Sequence, residues 1–145
     1  MNAAELTGTY TYRSFLNRQE MVEDFNKLRF AELELRLATD QTGAISGELV
    51  FPGSSDSEPL AMDIVGRVSA SSPLAFTVTG KGRTGTPIAD FHYEYDGFVL
   101  RRWESGVNQR MTLAGTVLRA KDHGSGGTLA RAGQTASFLA VKRDG

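Results

Sequence analysis

The sequence contains no cysteine, which excludes a disulfide framework, a thiolate metal site and a cysteine nucleophile together. Neither sign of charge is in excess: 16 Lys and Arg face 17 Asp and Glu, for a net charge of −1. No general attraction to nucleic acid or to an anionic membrane is therefore expected. Apolar runs long enough to span a membrane are missing, and the opening MNAAELTGTY has neither the basic region nor the apolar stretch of a signal peptide. The expectation is a cytoplasmic protein with no nucleic-acid or membrane partner. No Gly-x-Ser-x-Gly elbow occurs, so the usual serine-hydrolase nucleophile is absent as well.

What is present is a chain of 145 residues, 40% hydrophobic and 23% charged, the size and balance of one domain over residues 1–145 with a core of its own. Eight segments carry the period of two expected of half-buried strands: 6–13, 29–38, 45–51, 60–69, 74–82, 88–100, 111–119 and 134–142. In AELELRL, Leu33, Leu35 and Leu37 share one face while Glu32, Glu34 and Arg36 take the other. Short connections such as ATDQTG and RTGTP suit sequential antiparallel pairing. The fold class read from this is all-β, a single eight-stranded antiparallel up-and-down barrel, with a two-sheet sandwich as the alternative. One short helix is expected between strands 1 and 2. There NRQEMVEDFNKL places Asn17 and Glu20 as a capping pair and aligns Met21, Phe25 and Leu28 as a stripe to cover one end of the barrel.

Three stretches resemble chemistry without supporting it. GKGRTG, residues 80–85, has the dinucleotide-loop spacing but is followed by a strand-like segment rather than a helix. HGSGG, residues 123–127, lacks the strand-to-helix setting of a phosphate loop and reads as a mobile loop. In DFHYEYDGF, the set Asp90, His92, Glu94 and Asp96 lies on one strand face, with neighbours about 6.5–7 Å apart. A metal site wants three or four convergent ligands, and the other histidine, His123, lies far off in the sequence. Neither a metal ion nor a cofactor is expected.

Strand register decides which set faces inward. If the three leucines of AELELRL point into the barrel, so do Tyr10, Tyr12, Phe91, Tyr93 and Tyr95, leaving the carboxylates in water. All four tyrosines of the chain then face one interior, where each phenol needs a hydrogen-bond partner. Gly8, Gly47, Gly66, Gly80 and Gly115 fall on the same inner faces beside Phe76, and missing side chains there are expected to leave a pocket. Trp103, in RRWESGVNQR, is the candidate rim residue.

LTGTY, Leu6 to Tyr10, resembles the first strand of avidins and the Gly-x-Trp start of lipocalins, with Tyr10 where those families carry tryptophan. Lys142 and Arg143 after the last strand are similar to the lipocalin arrangement in which a late basic side chain covers the first-strand aromatic. The resemblance implies a calycin-like barrel. Aligned on LTGTY, the avidin positions that supply asparagine and serine to biotin fall on Tyr12 and Leu16, and QTASFLAVKR lacks the expected aspartate, so biotin is not the implied ligand. In architecture alone, the cofactor-free cyclase allene oxide cyclase is a further comparison.

The expected function is binding of a small, largely apolar molecule with a few polar groups, held by Tyr10, Tyr12, Phe76, Phe91, Tyr93, Tyr95 and Trp103. The alternatives are a cofactor-independent cyclase or isomerase in the same cavity, with Tyr93 or Tyr10 as candidate catalytic groups, and a filled barrel serving as a scaffold. Outward Val65, Leu118, Leu139 and Val141 make a homodimer or higher homo-oligomer an expected partner state.

Overall fold

The alternation becomes eight strands in the computed structural model, which describes residues 3–53, 60–70 and 73–143. They are β1 (Gly8–Leu16), β2 (Arg29–Thr39), β3 (Ala44–Val50), β4 (Ala61–Ser69), β5 (Ala75–Gly82), β6 (His92–Val99), β7 (Thr112–Arg119) and β8 (Thr135–Lys142). Each pairs antiparallel with the next and β8 pairs back onto β1, which makes a closed up-and-down barrel. Closure gives every strand two neighbours and removes the open edge on which another chain could add. The architecture is compatible with a calycin-like fold. Among the described residues no helix is long and apolar enough to cross a membrane.

Register follows the hydrophobic pattern. Tyr10 sits opposite Leu35 and Tyr12 opposite Leu33, while Tyr95 faces Val78 on one side and Val117 on the other. All four tyrosines are buried. The charged set of β6 is on the outside, where His92 Nε2 meets Glu94 Oε1 at 2.7 Å. Further round the wall, Glu34 pairs with Arg36 and Arg143, and Glu48 with Arg36 and Arg83.

Two expectations are corrected. Gly47, Gly66 and Gly115 do not open a lumen along the barrel. A Cβ added to Gly47, Gly66 or Gly115 would fall 2.0 Å from the carbonyl oxygen of Arg36, Thr77 or Asp96 respectively. Glycine is used there so that neighbouring backbones can approach in a tightly coiled sheet.

The helix between β1 and β2 is a single 3₁₀ turn, Phe25–Leu28, capped by Asp24 rather than Asn17. β1 runs three residues further than its pattern suggested, and Asn17 is then tied to the start of β8: its N–H donates to the Thr135 carbonyl and its Nδ2 to Thr135 Oγ1. Phe25 lies 4.2 Å from Phe15 on the outer wall, and Met21 is 91% exposed. Met21 and Phe25 therefore cover no barrel end.

Candidate functional site

The two ends of the barrel differ. At the end where β1 begins, Leu6 and Tyr10 are completely buried, and the Tyr10 hydroxyl donates to the Leu6 carbonyl at 2.7 Å with Met111 Sδ at 3.5 Å. Lys142, paired with Tyr10 in register, reaches the Glu5 carbonyl at 3.0 Å. That end is closed by its own side chains.

At the opposite end a cavity of about 200 Å³ opens between the strand termini. Its walls are carbon-rich: Phe30, Leu33, Phe51, Met62, Phe91 and Val117. Small side chains make the space, since Ser14 and Ala31 stand opposite one another in β1 and β2. Below it, a void of about 20 Å³ between Tyr12, Leu37, Phe76 and Phe138 has room for a water at most. The barrel is thus filled through its middle and hollow at one end.

Polar groups converge on this cavity from three elements. Tyr93 of β6 and Arg119 of β7 are register partners, and Arg119 Nε donates to the Tyr93 oxygen at 3.0 Å. The Tyr93 hydroxyl lies 2.8 Å from His123 Nε2. Burial first, and the Arg119 charge second, push the His123 pKa below the usual imidazole value, with Asp90 acting weakly the other way. In the neutral tautomer with Nε2 unprotonated, Nε2 accepts from the Tyr93 O–H, and one chain of donors then runs from guanidinium to phenol to imidazole.

The loop that carries His123 is tied together and to its surroundings by hydrogen bonds and a ring stack. His123 and Ala130 exchange backbone hydrogen bonds of 2.9 and 2.8 Å. Gly124, at φ +82°, donates its N–H to Asp90 Oδ2 at 3.2 Å. The imidazole stacks on Phe91 with ring centroids 3.8 Å apart.

Deeper in, the phenols of Tyr12 and Tyr95 meet, and burial pushes both well above the ordinary tyrosine range. They are neutral hydrogen-bonding groups. Ser14 is 1% exposed, and its hydroxyl approaches Tyr12 without the geometry of a hydrogen bond. Among the described residues it is one of two buried side-chain oxygens with no partner; the other, Thr39 Oγ1, is at the closed end of the barrel.

Of the residues read from the sequence, Tyr12, Phe91, Tyr93 and Tyr95 come together at this cavity. Phe76 borders the small void beneath, and Tyr10 belongs to the closed end. Trp103 lies in the β6–β7 connection, 60% exposed with the Arg101 guanidinium 4.0 Å over its ring. That connection is at the end away from the cavity.

Three polar contributors were missed. Ser14 and Arg119 each continue the inward parity of a recognised strand by two residues, so strand length hid the first and a charged side chain disguised the second. For His123 the sequence offered no signal, because a loop fold places it. A larger groove of about 650 Å³ on the outer wall includes Arg13, Glu32, Glu34, Arg36 and Arg143, but its charges neutralise one another in ion pairs. No protein-family model, curated protein or solved structure matches the chain.

Proposed function

We propose that the barrel binds a small, largely apolar molecule with a few polar groups in the cavity beneath His123. The observation that supports this reading is an apolar hollow of about 200 Å³ with an unpartnered buried hydroxyl, Ser14, in its wall. Leaving such a hydroxyl unbonded costs roughly 1–3 kcal/mol, which a ligand's polar group recovers. Affinity comes from burial of the ligand's apolar surface, at about 25 cal/mol per Å² before the costs of association. Ser14, Tyr12 and Tyr95 set its orientation.

The test is native mass spectrometry of the purified protein, before and after addition of hydrocinnamamide, a neutral probe of suitable size. Wild type is expected to retain one probe molecule or a co-purified one, and Ala31→Phe, which fills the hollow, to retain none while keeping its fold. Absence of any adduct from wild type, or equal uptake by Ala31→Phe, would overturn the reading.

The guanidinium–phenol–imidazole chain favours a second reading, a cofactor-free isomerase. The Tyr93 oxygen can take a proton from a carbon beside a carbonyl as its own hydroxyl proton passes to His123 Nε2, and the remaining N–H groups of Arg119 can stabilise the oxyanion that forms. Benzylacetone in D₂O would then exchange its α-hydrogens for deuterium with wild type and much more slowly with His123→Gln. Equal exchange by both would remove this reading.

A further inference from the structure

We infer that the cavity selects small monocarboxylic acids, the carboxylate held at the mouth by Arg119 and the apolar body lying inward against Leu33, Met62 and Val117. This rests on the reading of the cavity as a small-molecule site and adds the ligand's charge and orientation.

The argument begins with an unbalanced charge. Arg119 follows the inward parity of β7, is half-buried, and lines the cavity. Its Nε bonds Tyr93 and one Nη bonds the Arg131 carbonyl at 3.2 Å, while its guanidinium carbon lies 5.4 Å from the Phe30 ring centroid. Among the described residues no carboxylate pairs with it, although Arg13, Arg29, Arg36, Arg83 and Arg143 on the outer wall are all paired. A guanidinium has five N–H donors, so several of Arg119's remain for a ligand. Among the described residues no aspartate or glutamate lines the cavity. A partly desolvated cation with no counter-ion among the described residues is the setting in which an incoming anion gains most, and guanidinium geometry suits a carboxylate held by two parallel hydrogen bonds.

Size and polarity restrict the anion further. A single full cation at the mouth matches a monoanion, and the mostly carbon lining of a hollow of about 200 Å³ calls for an apolar body of aryl or branched aliphatic type. A phosphate or a sugar acid would leave its oxygens unpaired against Phe51, Met62 and Val117.

The experiment compares hydrocinnamate with hydrocinnamamide, which share a shape and differ in charge, by isothermal titration against wild type, Arg119→Gln and Arg119→Lys. Wild type is expected to bind the acid about tenfold or more tighter than the amide, the margin of one charge-assisted hydrogen-bonded contact. Arg119→Gln should bring the ratio near one, and Arg119→Lys should keep part of the preference. Equal binding of acid and amide by wild type overturns the inference and leaves the cavity reading standing. A preference that survives in Arg119→Gln overturns the assignment to Arg119. Failure of both probes to bind wild type removes the cavity reading, and this inference with it.

Discussion

A buried hydroxyl with no partner weakens the fold that contains it, and Ser14 places one in the wall of the cavity. Tyr10 shows the contrast. Equally buried, it spends its hydroxyl on the Leu6 carbonyl and is finished structurally. Natural sequences accept local destabilisation where a site needs it. Ser14→Ala is therefore expected to stabilise the ligand-free protein by about 1–3 kcal/mol, seen as a higher denaturant midpoint at unchanged slope. The same change should weaken binding of hydrocinnamamide. If Ser14→Ala instead destabilises the free protein, the hydroxyl is already bonded in solution and its role as a ligand contact fails. This residue was legible only in hindsight: the inward parity of β1 reaches it, but Arg13 and Ser14 look like the end of a strand, and the pairing of β1 with β8 carries the strand on to Leu16.

At the scale of elements, the strands were legible because period-two alternation is enforced by burial on one side and water on the other. A short helix does lie between β1 and β2, but its extent and covering role were misread because helical spacing in a connection says nothing about what its apolar face will meet. Phe25 found Phe15 on the outer wall, and Asn17 was taken by Thr135. The glycines were placed on the correct face and given the wrong purpose, since parity reveals orientation but not the distance to the next backbone. That distance is testable. Gly115→Ala puts a Cβ 2.0 Å from Asp96 O and 2.6 Å from Gly97 Cα, which forces β6 and β7 apart. It is expected to cost about 1–3 kcal/mol or more, while Gly127→Ala, with no atom within 4 Å, should stay within about 0.5 kcal/mol of wild type. Chemical denaturation distinguishes the two, and a neutral Gly115→Ala would restore the idea of an open lumen beneath the cavity.

Across the whole molecule, one end is sealed by buried side chains and the other is bordered by the His123 loop, so opening is concentrated where the cavity lies. The loop is held by the His123–Ala130 backbone bonds, the stack on Phe91 and the bond from Tyr93, none of which is part of the barrel's own ladder. Regions with few buried contacts open at lower free energy than the core. Acidity should bias this opening, and the sign follows from the imidazole. Docking lowers the His123 pKa below the ordinary 6.5, through burial and the Arg119 charge, against the weaker pull of Asp90. The docked loop binds fewer protons than the open one. Its stability is complete above the ordinary imidazole value and declines as pH falls below it. Amide exchange followed by NMR, corrected for intrinsic rates, should show residues 120–134 losing protection between neutral and mildly acidic pH. Leu6, Tyr10 and Leu113 at the closed end should keep theirs, and His123→Gln should remove the pH dependence of the loop. Equal loss of protection at both ends would mean that acid acts on the barrel as a whole, and that His123 is not the group fastening the loop over the cavity.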